Sequence, residues 1–252
     1  MIDYLQSFNL TTELWFLCFI CGMLVGMAKV GISGLAMLAV PILAEIFGGR
    51  PSTGILLLML CIGDIFAVKY YTQHTEWFYV LRLMPFTLIG ILIALFVGNN
   101  ISDDLFKDII AITILISITV MIWRERQQNN IVFPNRWWVS LLIGLTGGFA
   151  TMIGNAAGPI MSLFLLSIQL PKNAYIGTGA WYFMIVNLVK VSLHIFIWNT
   201  ITLRTFSLNI AILPAIVLGS ILGVKIVKKI PEKPYRIFII VITSITALNL
   251  LI

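Results

Sequence analysis

The sequence predicts an all-α, polytopic helical membrane protein with two inverted repeats, and two observations carry that prediction. Of the 252 residues, 60% are hydrophobic and only 10% are charged, and apolar windows of about 19 residues, the length of a membrane span, recur along the whole chain. Two short apolar stretches interrupted by glycine, 22–37 and 144–161, open the two halves. The composition excludes a soluble globular domain, in which about a quarter of the residues would be charged.

Apolar runs between turn signals divide the chain into ten segments. In order, they are 14–29, 34–47, 52–71, 79–98, 105–123, 137–153, 158–169, 176–198, 205–227 and 234–252. Six can cross a hydrocarbon core of about 30 Å, whereas the first, second, sixth and seventh are short at about 1.5 Å of rise per residue. The shortest, 34–47 and 158–169, are predicted to be half-helices or re-entrant arms at the start of each repeat.

The five segments of each half carry the same landmarks in the same order. The first two flank a glycine-rich break, the third opens with Thr-Gly, the fourth contains Pro and then Gly, and the fifth begins with an aromatic-basic pair. The matching residues are Gly22 and Gly26 with Gly144 and Gly148, Thr53-Gly54 with Thr178-Gly179, Pro85 and Gly90 with Pro214 and Gly219, and Phe106-Lys107 with Tyr235-Arg236. Because five is odd, the second repeat must enter the membrane with the opposite orientation.

The predicted organisation is a first membrane repeat at 1–123, a cytoplasmic connector at 124–135 and an inverted second repeat at 136–252. Most Lys and Arg residues lie at the ends of even-numbered connections: Lys69, Arg82, Arg124, Arg126, Arg136, Lys172, Lys225, Lys228, Lys229, Lys233 and Arg236. The opposite side has Arg50, Lys107 and Arg204. The positive-inside rule therefore predicts that both termini lie outside the cytoplasm, in a protein of the bacterial cytoplasmic membrane.

Charge and cysteine content exclude several other partners. The net charge of +6 does not indicate nucleic-acid binding, because the basic residues are spread over short loops. Cys18, Cys21 and Cys61 all lie inside apolar segments and are interpreted as small core residues. Neither a Cys/His cluster with metal-ligand spacing nor a phosphate-binding glycine loop occurs in the sequence, so no metal or cofactor is predicted.

The two glycine-rich breaks are the predicted substrate site. Ser33 is placed to cap the arm after the first break, and Pro159 suits the first turn of the arm after the second. Unpaired N–H groups at two such helix starts would offer a positive pocket to an anion. The candidate binding residues are Gly31, Ser33, Gly34, Gly154, Asn155 and Gly158. The alternative is that these glycines only allow close helix packing.

Four charged or titratable side chains lie within apolar segments: Lys29, Asp64, Lys190 and His194. Such residues are costly in a membrane and usually functional. Asn187, Lys190 and His194 share one helix face, and a cationic stripe suits an anion. Lys29, Asn187 and Lys190 are therefore added to the predicted binding residues, and Asp64 and His194 are candidates for coupling or gating. Asp64 and Lys190 occupy nearly equivalent positions and could pair, either functionally or as a structural bridge between the halves.

At these residues the chain resembles the TauE/SafE sulfite exporter family, also called the sulfonate-uptake permease family. The resemblance lies in Ser33-Gly34 and Pro41 of the first break, in Thr53-Gly54, and in the recurrence of the pattern after Gly144. It implies a secondary transporter for a small anion, such as sulfite, sulfoacetate or another sulfonate. Many relatives carry a triple glycine after the first break and an apolar residue at the position of Lys29, so this lysine suggests a more strongly charged or carboxylate-bearing anion.

Two other functions stay open at this level. The string from Gly31 to Gly34 contains Ser33, and His194 could act as its base, as in a rhomboid-like intramembrane serine protease. A passive anion channel could also be built from half-helices. We expect a carrier with alternating access rather than an enzyme, and proton coupling through Asp64 or His194 is one option for driving it.

Overall fold

The computed structural model describes residues 7–29, 35–71, 75–126 and 136–226, together with residues 240, 241, 244, 245, 247 and 248. Within this part of the chain, all regular structure is α-helical: nine helices are described over their length, and residues 240, 241, 244, 245, 247 and 248 are also helical. The nine helices are α1 (Thr12–Lys29), α2 (Leu35–Phe47), α3 (Gly49–Tyr71), α4 (Trp77–Asn99), α5 (Asp103–Arg126), α6 (Trp137–Gly154), α7 (Gly158–Ser167), α8 (Lys172–Phe196) and α9 (Leu203–Ile226). The all-α prediction is confirmed; the predicted segment 234–252 lies mostly outside the described residues.

Seven of the described helices, all except α2 and α7, are long and apolar enough to cross a membrane. The arms α2 and α7 have 13 and 10 residues, so they measure only about 20 and 15 Å. The expectation that the first and sixth segments are also too short is wrong, because α1 and α6 have 18 residues each. α1 is longer than its apolar run since the Thr11 hydroxyl accepts the N–H of Leu14 at 3.4 Å and caps an earlier start.

The first helix of each half packs against the fourth helix of the other half through glycine. Gly26 of α1 lies against the carbonyl group of Ile216 in α9, so closely that an added Cβ would overlap it. Gly148 of α6 lies in the same way against the carbonyl group of Thr87 in α4. Only a residue without a side chain permits this approach.

The same two helix pairs make a second set of matched glycine contacts. Gly90 of α4 lies against the carbonyl group of Leu145 in α6, and Gly219 of α9 lies against that of Met23 in α1. Each of these residues is the counterpart of another in the alignment of the two halves. Four of the glycines that align between the two halves therefore serve close helix packing.

Helices α3 and α8, the third of each half, pack together at the centre of the molecule. The Asn187 amide of α8 donates a hydrogen bond to the Asp64 carboxylate of α3. Near the start of α8, the Thr178 hydroxyl accepts the N–H of Glu76, the residue before α4, at 3.0 Å. The opposite face of α8 exposes large apolar side chains, including Leu188 and Phe196. α8 therefore has a polar inner face and an apolar outer face, as expected for a helix that lines the centre of a membrane protein.

The start of α3 is held in place by a neighbouring helix. Gly48, with φ of 90°, is the single residue between α2 and α3. Asp103 of α5 then accepts the N–H groups of Gly49 and Arg50 at 2.8 and 2.9 Å. A carboxylate at a helix N-terminus satisfies free N–H groups and matches the helix dipole. This cap positions Thr53 in the next turn of α3.

Candidate functional site

The second predicted break is a short, well-defined loop between α6 and α7. Asn155 ends α6 in the left-handed conformation, with φ of 51°, and its N–H bonds the carbonyl of Thr151 at 3.1 Å. The N–H of Ala156 reaches back to the carbonyl of Ala150 at 3.2 Å. α7 then begins at Gly158. Asparagine tolerates the left-handed conformation better than most residues, which explains why the helix ends here.

The Asn155 side chain joins this break to α8 and α3. Its amide oxygen accepts a hydrogen bond from the Lys190 ammonium at 2.5 Å, and its amide nitrogen donates to the carbonyl of Thr53 at 3.3 Å. The Lys190 ammonium also donates to the Thr151 hydroxyl at 3.2 Å. Lys190 is fully buried, and both of these acceptors are neutral oxygens.

Asp64 is the centre of a second polar group. Its Oδ1 lies 2.5 Å from the Lys29 ammonium, and its Oδ2 accepts a hydrogen bond from the Asn187 amide at 2.6 Å. Asp64 is 1% exposed, whereas the Lys29 side chain is 14% exposed at the end of α1. The Lys29 ammonium also lies 5.1 Å from the centre of the Phe183 ring, which adds a cation–π contact.

The predicted pairing of Asp64 with Lys190 is therefore wrong, because the Asp64 carboxylate forms its ion pair with Lys29 instead. Lys29 reaches it because its stem lies over Gly63, which has no side chain; an added Cβ there would meet the Lys29 Cγ at 2.7 Å. The register of α8 brings Asn187, not Lys190, opposite Asp64. Lys190 follows one turn later, so the two polar groups are neighbours on one helix face.

His194 lies at the far end of the same face, close to the loop after α8. Its Nδ1 and the Thr200 hydroxyl are 2.7 Å apart, and its ring meets the Trp198 ring edge-on at 4.9 Å. Its Nε2 is buried without a hydrogen-bond partner among the described residues. The polar face of α8 predicted from Asn187, Lys190 and His194 is thus buried along its whole length.

The start of α7 has open space beside it. Among the described residues, a Cβ added to Gly158 would have no atom within 4 Å, and one added to Gly154 would have none nearer than 3.8 Å. The N–H groups in the first turn of a helix have no acceptor within the helix. The first break, with the predicted residues Gly31, Ser33 and Gly34, lies outside the described residues.

Three residues of this site were not among the sequence-predicted site residues: Thr151, Thr200 and Phe183. Thr151 lies one turn before Asn155 on the same face of α6, so the i, i+4 spacing is a signal that could have identified it. Phe183 lies four residues before Asn187 on the polar face of α8, so the same spacing could have identified it. Thr200 gives no such signal, because it lies in the loop after α8.

The long apolar helices and the buried charged centre define the class of protein: a polytopic, integral membrane protein of the kind that moves solutes. The family model described as "Sulfite exporter TauE/SafE" matches residues 18–250, nearly the whole chain. The protein belongs to the TauE/SafE sulfite exporter family, which is a family of membrane transporters rather than enzymes. The searches of curated proteins and of solved structures return no significant match.

Proposed function

We propose that the protein is a secondary transporter that carries a small anion, such as sulfite or a sulfonate, across the cytoplasmic membrane by alternating access. Membership of the family supports transport of a small solute through the bilayer. The charges of Lys29, Asp64 and Lys190 support an anionic substrate, and the packing of the helices supports the proposed mechanism.

The observation that carries the proposal is the environment of Lys190. This lysine is fully buried and, among the described residues, donates to the neutral oxygens of Asn155 and Thr151, whereas the nearby carboxylate of Asp64 is paired with Lys29. A buried charge needs a counter-charge to offset its desolvation. An anionic substrate supplies it, and the free N–H groups at the start of α7 add further donors beside the open space at Gly158.

The proposed mechanism depends on the contacts between helices of the two inverted repeats. The matched glycine contacts of α1 with α9 and of α4 with α6 support a two-fold relation between the halves. Because these contacts bring backbones together, we expect each pair to move as one body. Alternating access then changes the surface where α3 meets α8, which holds the polar residues. The moving bodies combine helices of both repeats, instead of one whole repeat rocking against the other.

The experiment that tests the substrate class is anion protection and flux with the purified protein. In detergent, a sulfonate should raise the melting temperature of the wild type, and Lys190→Gln should lose this effect. Lys69→Gln is the matched control, because Lys69 is an exposed lysine in the last turn of α3. Equal protection of Lys190→Gln and the wild type would contradict the proposed site.

Flux in proteoliposomes separates a carrier from a passive channel. A carrier accumulates radiolabelled sulfite against its gradient when a second gradient, such as a pH gradient, is imposed. A channel only equilibrates the anion. If His194 couples transport to protons, anions should still protect His194→Gln against thermal unfolding. The pH gradient, however, should no longer drive anion transport by this variant. If the gradient still drives transport, His194 is not the coupling group, and Asp64→Asn is the next variant to measure.

A further inference from the structure

We propose that the site selects singly charged anions and that Asp64 sets this preference by cancelling one of two lysine charges. The inference rests on the proposed function and specifies the substrate class of the same site. It follows from three side chains whose charges can be counted: Lys29, Asp64 and Lys190.

We assign the carboxyl group of Asp64 as ionised, because each of its oxygens faces a donor group. Its Oδ1 receives the Lys29 ammonium at 2.5 Å and its Oδ2 receives the Asn187 amide at 2.6 Å, so both oxygens act as acceptors. A protonated carboxyl group would direct its own O–H towards one of these donors. Asp64 and Lys29 therefore form a neutral pair, which argues against the more strongly charged anion that Lys29 suggested from the sequence alone.

Lys190 contributes the remaining charge. An ammonium group has three N–H donors, and the described residues accept two of them, at Asn155 and Thr151. One donor and one positive charge are left for a ligand. With His194 neutral, the sum over the polar centre is one positive charge.

A single uncompensated charge discriminates between anions by their valence. A monoanion neutralises Lys190, whereas the second charge of a dianion would be left unpaired in a low-dielectric interior, which is costly. The Asp64 carboxylate lies one helical turn away from Lys190, because it is bonded to Asn187, and it repels the second charge further. Removing the Asp64 charge should therefore favour dianions.

The test is a set of four proteins that differ in the charge of the site, at one pH. The wild type carries one positive charge, Asp64→Asn carries two, Lys29→Gln carries none, and the double variant Lys29→Gln/Asp64→Asn carries one again. The probes are methanesulfonate and sulfate, which differ in charge but share a sulfur–oxygen head group and do not titrate near neutral pH. The measurement is the concentration of each anion that gives half-maximal thermal protection.

We expect methanesulfonate to protect the wild type at a half-maximal concentration at least about tenfold lower than that of sulfate. In Asp64→Asn, the ratio of the two half-maximal concentrations should shift in favour of sulfate by a similar factor. Lys29→Gln should weaken protection by both anions. The double variant should return to the wild-type preference although it lacks both side chains. A wild type that prefers sulfate, an unchanged ratio in Asp64→Asn, or a double variant that keeps the ratio of Asp64→Asn would overturn the inference.

The outcomes also separate this inference from the proposed function. If neither anion protects the wild type, or if protection persists in Lys190→Gln, the proposed anion site itself fails. If protection depends on Lys190 but the ratio of the two half-maximal concentrations does not change with the charge at Asp64, only the selection by valence fails. Should Asp64→Asn not fold, the comparison of Lys29→Gln with the double variant decides, because the charge of the site rises from none to one positive charge between them: both anions must protect Lys29→Gln more weakly than the double variant.

Discussion

The Lys190 ammonium donates a hydrogen bond at 2.5 Å to the side chain of Asn155, the residue whose left-handed backbone ends α6. A charge on one helix is thereby fixed at the break between two others. The same asparagine donates to the carbonyl of Thr53 in α3, so three parts of the chain meet at one amide. Changes at Asn155 should therefore affect binding and backbone conformation separately.

Two substitutions of Asn155 distinguish these effects. Asn155→Gly keeps the left-handed conformation at little cost but removes the amide that accepts from the buried Lys190 ammonium, so we expect a loss of about 1.5–3 kcal/mol of stability and anion protection weakened about tenfold. Asn155→Ala loses the amide as well and adds about 1–2 kcal/mol of backbone strain. Thermal unfolding with and without methanesulfonate measures both effects. Anion protection of Asn155→Gly equal to that of the wild type would remove the amide from the site.

Glycines on the two sides of the break should respond differently to alanine. Gly158→Ala has room for its methyl group and should change the free energy of unfolding by less than about 0.5 kcal/mol. It should still weaken anion protection, because the methyl group enters the space proposed for the substrate. Thermal unfolding in detergent, with and without the anion, gives both values.

Gly148→Ala is the matched contrast within the adjoining helix α6. Its methyl group would overlap the carbonyl of Thr87, so we expect a loss of about 1–3 kcal/mol from forced separation of α4 and α6. Gly26→Ala should lose a similar amount, because Gly26 makes the equivalent contact with Ile216. If only one of these two variants is destabilised, the two pairs are not equivalent in strength.

The ion pair of Lys29 and Asp64 should show strong thermodynamic coupling. Lys29→Gln leaves a buried carboxylate without its counter-charge, which typically costs about 3–5 kcal/mol. The double variant Lys29→Gln/Asp64→Asn should be more stable than Lys29→Gln alone, because no charge remains unpaired. Unfolding of the wild type, both single variants and the double variant gives the coupling energy directly. Additive losses would mean that the two side chains do not interact.

The predicted orientation can be measured by cysteine labelling. A cysteine introduced into the connector 124–135 should react with an impermeant maleimide only after the cells are opened, whereas one at residue 204 should react in intact cells. Cys18 and Cys21 are buried, and Cys61, which is partly exposed, is replaced by serine so that it adds no background. The reverse pattern would place the termini in the cytoplasm.

Local sequence was sufficient to predict the second break and the short arms. The ending of α6 at Asn155, the start of α7 at Gly158 and the brevity of α2 follow from residues that are adjacent in the chain: left-handed Asn, then Gly-Pro, and apolar runs too short to span. The buried face of Asn187, Lys190 and His194 was likewise predictable, since helical periodicity places them together.

The sequence by itself determined the all-α membrane architecture, the order of its helices and the identity of the charges at its centre, because composition and periodicity act over one or two helical turns. Only the tertiary structure decided which charges meet. Lys29 pairs with Asp64 because Gly63 lets its stem cross α3 and because α8 presents Asn187 at that level, which leaves Lys190 to Asn155. Contacts of this kind depend on the relative register of three helices, to within a fraction of a turn, and no spacing along one chain segment encodes it.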